Sequence, residues 1–497
     1  MTTMNKNIIK TGLLAAVVAL SGCDSFLDIN TSPNSPSEDQ LTTSLIFPGA
    51  EMSLCTSYCG ELRMHGGYYA EHFGGVPGNS NYNSNSRFEV GTGSGNGVWY
   101  NLYIKGLNNL QTVIEKADAE GDRGTKLAAT VVRTATYATL VDMFGEVPYS
   151  EAFDVENHPM PHFDNGKDIY KGILDELDAA LSGVLPTDNV CTNFLFPNGM
   201  ADGWIKTANA LKLRMLMRIS NVENVQSQIA ALIAEDNFPT SDVAWKGCWS
   251  DNSNNASPYY RMYGNGSYSY TKKNISYNLT IVNTLEDCND PRLSAFMNRN
   301  TKGEYFGGMA GNTLADVGGV SANTMSMPLS SYNTPAYLIT VAEIEFFIAE
   351  YEARYGNASA AAEHYRQAIE ASCDTYGVAF TASITNAYPW NASNWKRCIG
   401  IQKWIHLAGC NNFESWCELR RLGYPTFGEV SGADIFNGGD LNYDIYVPGT
   451  LYTPYTVSAN IGDNKILQRF PYPSDAAARN SNTPANKGDL APVFWAE

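Results

Sequence analysis

The chain has 497 residues, well beyond a typical domain of about 100 to 200, so it holds two or three domains or one large helical array. Its formal charge is −18 with only 17% charged residues, which argues against nucleic-acid binding, a function that relies on basic patches to neutralise phosphate. The surface must instead be built from Asn, Ser, Thr, Gly and an excess of rings, 29 Tyr and 9 Trp. Such a surface suits neutral ligands such as sugars, because a ring covers an apolar sugar face while amides meet hydroxyls.

In chain order, Lys6 and Lys10 precede an apolar run at 13–20, which leads into Leu20-Ser21-Gly22-Cys23. A basic start, a short apolar stretch and small residues before a cut define a secretory signal. The small pair followed by Cys is the pattern of a bacterial lipoprotein signal, in which the thiol takes a diacylglycerol and becomes the new N-terminus. Cys23 is thus the expected lipidation site, with 1–22 as the signal peptide and 23–40 as a lipidated, flexible tether. About ten apolar residues are too few to span a bilayer, which needs roughly 20 in a helix. No later stretch comes closer, so acyl chains are the expected anchor, holding the chain on a membrane surface outside the cytoplasm.

Residues 41–497 read as mostly α. Helical spacing predicts helices at 43–65, 99–119, 125–144, 168–181, 201–219, 222–235, 341–355, 358–376 and 395–422. Short connections pair them as αα-hairpins. Two stretches break the pattern, about 66–98 and 245–340, both rich in turn residues and rings, and loops on a rigid scaffold are where binding sites concentrate. The hairpin at 344–373 carries Ile348, Ala349, Ala361, Tyr365 and Ala368 in a tetratricopeptide-like register, while Glu345 and Glu352 stand at positions that should be aromatic. The expected packing is TPR-like without being a regular solenoid.

No motif of a metalloprotease, nucleophile elbow, P-loop or dinucleotide fold is present. Asp251-x-Ser253-x-Asn255 starts like a calcium loop, but Ala256 replaces the required Gly and no Glu closes it. Neither a metal nor another cofactor is expected. Asp175, Glu176 and Asp178 diverge around a helix and read as a solvated face, so the positive case for an enzyme is empty. Nine cysteines follow Cys23 with no C-x-x-C pair, and their odd number leaves at least one without an intramolecular partner.

Several segments together resemble the SusD/RagB-like nutrient-binding outer-membrane lipoproteins of Bacteroidetes. They are Cys23-Asp24-Ser25-Phe26-Leu27-Asp28, Trp99-x-x-Leu102-Tyr103, Tyr137-x4-Asp142-x-Phe144-Gly145-x-Val147-Pro148-Tyr149 and Asn289-Asp290-Pro291-Arg292-Leu293. Later come Ile339-Thr340-Val341-Ala342-Glu343, Gln402-Lys403-Trp404-Ile405, Glu414-x-Trp416-x-Glu418-x-Arg420-Arg421-x-Gly423-Tyr424-Pro425 and Arg469-Phe470-Pro471-Tyr472-Pro473. Val341 departs from the family's frequent aromatic. The resemblance implies a single compact domain of TPR-like helix pairs with irregular ligand loops. It also implies a partner, a SusC-like TonB-dependent transporter on which the lipoprotein sits as a hinged lid, and a nutrient that is usually a glycan and sometimes a peptide.

No binding residue carries over from the family, whose ligand loops vary widely, so the ring-bearing loops supply the candidates: Tyr82, Trp99, Trp249, Tyr260, Tyr263, Tyr268 and Tyr270. Trp99 can equally be core, since it opens an apolar helical stripe. The leading expectation is oligosaccharide capture and delivery. The alternatives are peptide capture by the same lid, a surface glycoside hydrolase with two facing carboxylates, and a structural adaptor with no ring-lined pocket.

Overall fold

The computed structural model describes residues 41–78, 81–263, 274–311, 325–437 and 440–496. Cys23, expected from the sequence to be lipidated, and the candidates Tyr268 and Tyr270 lie outside them.

Helices dominate. α1 (Thr43–Cys59) and α2 (Glu61–Tyr69) replace the single helix expected over 43–65, broken at Gly60. A Cβ there would meet the Thr56 carbonyl at 2.8 Å and Pro258 at 3.3 Å, so a close backbone approach requires the glycine. α3 runs through three consecutive pieces, Asn96–Trp99, a π-helical Tyr100–Leu107 and Asn108–Glu120. α4 (Arg123–Phe144) starts where the Asp122 side chain accepts from Thr125 N–H, and α5 (Gly166–Leu181) where Asn165 accepts from Asp168 N–H. α6 (Asp202–Ile219) and α7 (Gln226–Glu235) follow.

α8 (Val341–Tyr355) opens with a reciprocal capping box between Thr340 and Glu343, and packs along α9 (Ala358–Thr375). Ile348, Ala349, Ala361, Tyr365 and Ala368 are all buried in this hairpin, which gives it the TPR-like packing. Glu345 pairs with His364 at 2.7 Å across the same hairpin. α10 (Trp395–Cys410) and α11 (Asn412–Leu422) divide the helix expected over 395–422, because Asn411 leaves helical geometry to cap α11 through Glu414 N–H.

Strands are few and short among the described residues. β1 (Phe73–Gly74) pairs antiparallel with β3 (Ser276–Tyr277), β2 (Val243–Trp245) with β4 (Ala336–Ile339), and β5 (Phe436–Asn437) with β6 (Asp440–Leu441). The described parts of the stretch 245–340 therefore hold regular structure, where the sequence pattern predicts a loop. Its ends are clamped by β2 and β4, whose Val243, Trp245, Leu338 and Ile339 are buried, and it contains the helices Pro258–Tyr263 and Leu279–Asp287.

A buried ion network ties the helices together. Arg218 of α6 bonds Asp142 of α4 and Glu414 of α11, and Arg214 bonds Glu343 of α8 at 2.9 Å. Arg421 of α11 bonds Glu350 of α8 and Glu418, each at 2.6 Å, and Lys403 of α10 bonds Glu418 at 2.9 Å. Arg420 donates to the carbonyls of Asp142 and Gln468. All nine cysteines after Cys23 are free thiols, seven of them buried, including Cys55 and Cys59 on one face of α1. No helix among the described residues is long and apolar enough to cross a membrane.

The tail after α11 folds back over the core. Phe470 N–H donates to the Met143 carbonyl, Arg469 bonds the Phe144 carbonyl and Glu146, and Ser474 N–H donates to the Thr92 carbonyl. This path lays a last short helix, Ser474–Arg479, beside the start of α3.

Candidate functional site

Three segments remote in sequence meet in a cleft of about 410 Å³. The first is the start of α3. Trp99 and Tyr103, four residues apart, face the cleft with ring centroids 4.6 Å apart, while Tyr100 and Ile104 stand at its mouth, 53% and 55% exposed. Here the backbone is π-helical, a form that occurs mostly as short bulges, often at functional sites.

The second wall is the segment between α4 and α5, which contributes Pro148, Phe153, Pro159, Pro161 and Phe163. Asp164 folds it back by accepting from Tyr149 N–H, Ser150 N–H and the Ser150 hydroxyl at 2.8, 2.9 and 2.6 Å. Glu151 accepts from the backbone N–H of His162 at 2.8 Å, with the His162 ring at 2.9 Å. These bonds hold the Glu151 carboxyl below its ordinary range. Phe153 has φ +71°, a left-handed conformation that is a genuine outlier for a bulky side chain and that clusters at functional sites. The third wall is the tail helix and its end, with Asp475, Arg479 and Asn480.

The rings are fixed before any ligand arrives. Trp99 lies edge-on to Phe144 at 5.3 Å and nearly parallel to Phe163 at 6.1 Å, and Tyr103 sits 6.2 Å from Phe153. The Tyr103 hydroxyl donates to the Pro148 carbonyl, joining two walls. Chemically the cleft offers four packed rings, Trp99, Tyr103, Phe153 and Phe163, with Tyr100 exposed at the mouth and one carboxylate and one guanidinium at its edge.

Of the candidates read from sequence, Trp99 alone lines this cleft. Tyr82 does not line it: the Glu61 carboxylate accepts from Val98 N–H in α3, and its charge adds to burial in raising the Tyr82 hydroxyl pKa. Tyr82 is half-buried at φ +61°, its ring 6.4 Å from Tyr68. Asn81 beside it donates to Asn274, which donates to the Met262 carbonyl, so the Tyr82 loop and the helix Pro258–Tyr263 come together. In that helix Tyr260 is only 9% exposed; the side chain of Tyr263 lies outside the described residues. Trp249 is half-buried against the core, its indole N–H without a partner among the described residues.

Sequence reasoning missed Tyr100, Tyr103, Phe153, Phe163, Asp475 and Arg479. The signal available was the flank of rings around Pro148, Pro159 and Pro161, a proline-stiffened segment too ring-rich for a plain connection. Among the described residues no group of His, Cys, Asp or Glu side chains could hold a metal ion.

The fold is a helical scaffold that carries a ring-lined cleft, and the comparisons with known proteins show its family. A family model described as SusD-like, starch-binding associating with outer membrane, matches residues 34–442. The chain belongs to this SusD-like family. Among solved structures, a chitin-binding protein superposes with TM-score 0.74 at 22% identity, covering 92% of this chain and all of the other. A SusD/RagB family protein from Bacteroides thetaiotaomicron gives 0.71 at 20% identity, covering 92% and 99%. A SusD homolog from Bacteroides uniformis gives 0.70 at 18%, covering 91% and 99%. No curated protein matches the sequence.

Proposed function

We propose that this protein is a lipid-anchored surface receptor of the outer membrane that captures oligosaccharide and delivers it to a SusC-like TonB-dependent transporter, without turning it over. One observation carries the binding part of the reading: five rings from two segments remote in sequence converge on one preformed cleft. Family membership supports a carbohydrate ligand and a place at the outer membrane. The lipoprotein pattern ending at Cys23 supports the anchor, and the transporter partner follows from the family resemblance. Asp475 is the only carboxylate among the described residues lining the cleft, whereas glycoside hydrolysis uses a facing pair.

Native affinity electrophoresis through gels cast with plant, host and microbial polysaccharides tests the reading. Retardation by a glycan is expected, with at least tenfold weaker binding in Trp99→Ala and little change in Trp249→Ala. Absence of retardation by every polysaccharide, with binding of peptides instead, contradicts it.

A further inference from the structure

The cleft's polar groups are largely committed to the protein itself. Asn96 donates to the Ser474 hydroxyl at 3.0 Å, and its carbonyl oxygen faces Asp475 N–H at 3.4 Å. Asn480 donates to the Pro161 carbonyl at 2.8 Å and accepts from Asn482 N–H at 2.9 Å. The Tyr103 hydroxyl is bound to the Pro148 carbonyl. The two amides best suited to reading sugar hydroxyls are thus already used. Besides the Trp99 indole N–H and the Tyr100 hydroxyl at the mouth, two side-chain groups remain, the Asp475 carboxylate and the Arg479 guanidinium, and neither forms an ion pair among the described residues.

Asp475 and Arg479 sit at i and i+4 of one helix, so their Cβ atoms are neighbours about 6 Å apart on the same face. One acceptor and one donor at that spacing, above an apolar ring-lined floor, complement a secondary amide that carries a small apolar group. A bare hexose offers this cleft a rim of hydroxyls and meets few partners, and each hydroxyl buried unpaired opposes binding. An acetamido group offers one N–H, one carbonyl and one methyl.

Resting on the glycan reading of the Trp99 cleft, we propose that the cleft selects sugars bearing an N-acetyl group. The acetamido N–H donates to Asp475, its carbonyl accepts from Arg479, and its methyl lies against Trp99 and Phe153.

Saturation-transfer NMR on the full-length protein in detergent micelles tests this. The probes are the methyl β-glycosides of N-acetylglucosamine, N-acetylgalactosamine, glucose and galactose, with N-acetylalanine methylamide as a peptide mimic. The acetylated sugars should bind at least tenfold tighter than the plain ones, with the strongest saturation on the acetyl methyl. Binding should vanish in Trp99→Ala and weaken severalfold in Asp475→Asn and in Arg479→Gln, both exposed positions that leave the core intact. Equal, Trp99-dependent binding of glucose and N-acetylglucosamine would overturn the acetamido selection and leave the glycan reading standing. Binding of the peptide mimic in place of every sugar, or no Trp99-dependent binding at all, would overturn both.

Discussion

Phe153 condenses the site at the scale of one residue. Holding a non-glycine residue in the left-handed region costs roughly 1 to 2 kcal/mol, and here that strain places a ring in the cleft wall opposite Tyr103. Phe153→Gly should therefore be more stable than Phe153→Ala by about 1 kcal/mol in urea unfolding, while both weaken glycan binding equally. An alanine variant as stable as the glycine one would remove the strain argument. His72 gives the second residue-scale prediction. Burial lowers its pKa to about 3, with its ring beside Asn412 and Ser415, against about 6.5 in the unfolded chain. The unfolded chain takes up this proton first, so the contribution is whole above pH 6.5 and is lost as pH falls from there toward 3. Glu51, raised by burial to about 7, titrates with the opposite sign, so the wild-type pH profile alone is ambiguous. Comparing pH 8 with pH 5, His72→Gln should shrink the loss of stability by about 2 kcal/mol relative to wild type. An unchanged difference would contradict the buried neutral imidazole.

At the scale of elements, the buried ions decide which helices stay together. Arg218 meets Asp142 and Glu414 in surroundings closed to water. Arg218→Met leaves Asp142 without its ion-pair partner and Glu414 with Arg214 alone at 3.6 Å, and should cost about 3 to 5 kcal/mol. Arg366→Ala, which removes the surface pairs with Glu363 and Glu370 on α9, should cost far less, because solvent screens exposed pairs. Equal effects in urea unfolding would contradict the network's role. Helix existence was legible in sequence because the apolar stripes of 125–144 or 341–355 follow the 3.6 period. The breaks at Gly60 and Asn411 were not, because the stripe continues through both while only the non-helical backbone at Gly60 and the Asn411 cap interrupt the helices. The short strands β2 and β4 escaped notice because they find each other across some ninety intervening residues.

At the scale of the molecule, family and fold were legible because motifs spread from Trp99 to Pro473 keep their order. The cleft was only partly so. Trp99 could be named from its place at the head of α3, but Phe153 and Phe163 reach it through the fold of one connection, and Asp475 through a tail that returns across the core. No local pattern encodes such a meeting. Tyr82 and the helix Pro258–Tyr263 form a second ring-bearing locus, joined through Asn81 and Asn274, and this gives the central claim its sharpest rival. A crystal structure of the protein with the oligosaccharide that retards it would decide between them. The account predicts a sugar ring against Trp99, between Phe153 and the Ser474–Arg479 helix. A sugar seated beside Tyr82 and the Pro258–Tyr263 helix, with the Trp99 cleft empty, would contradict it.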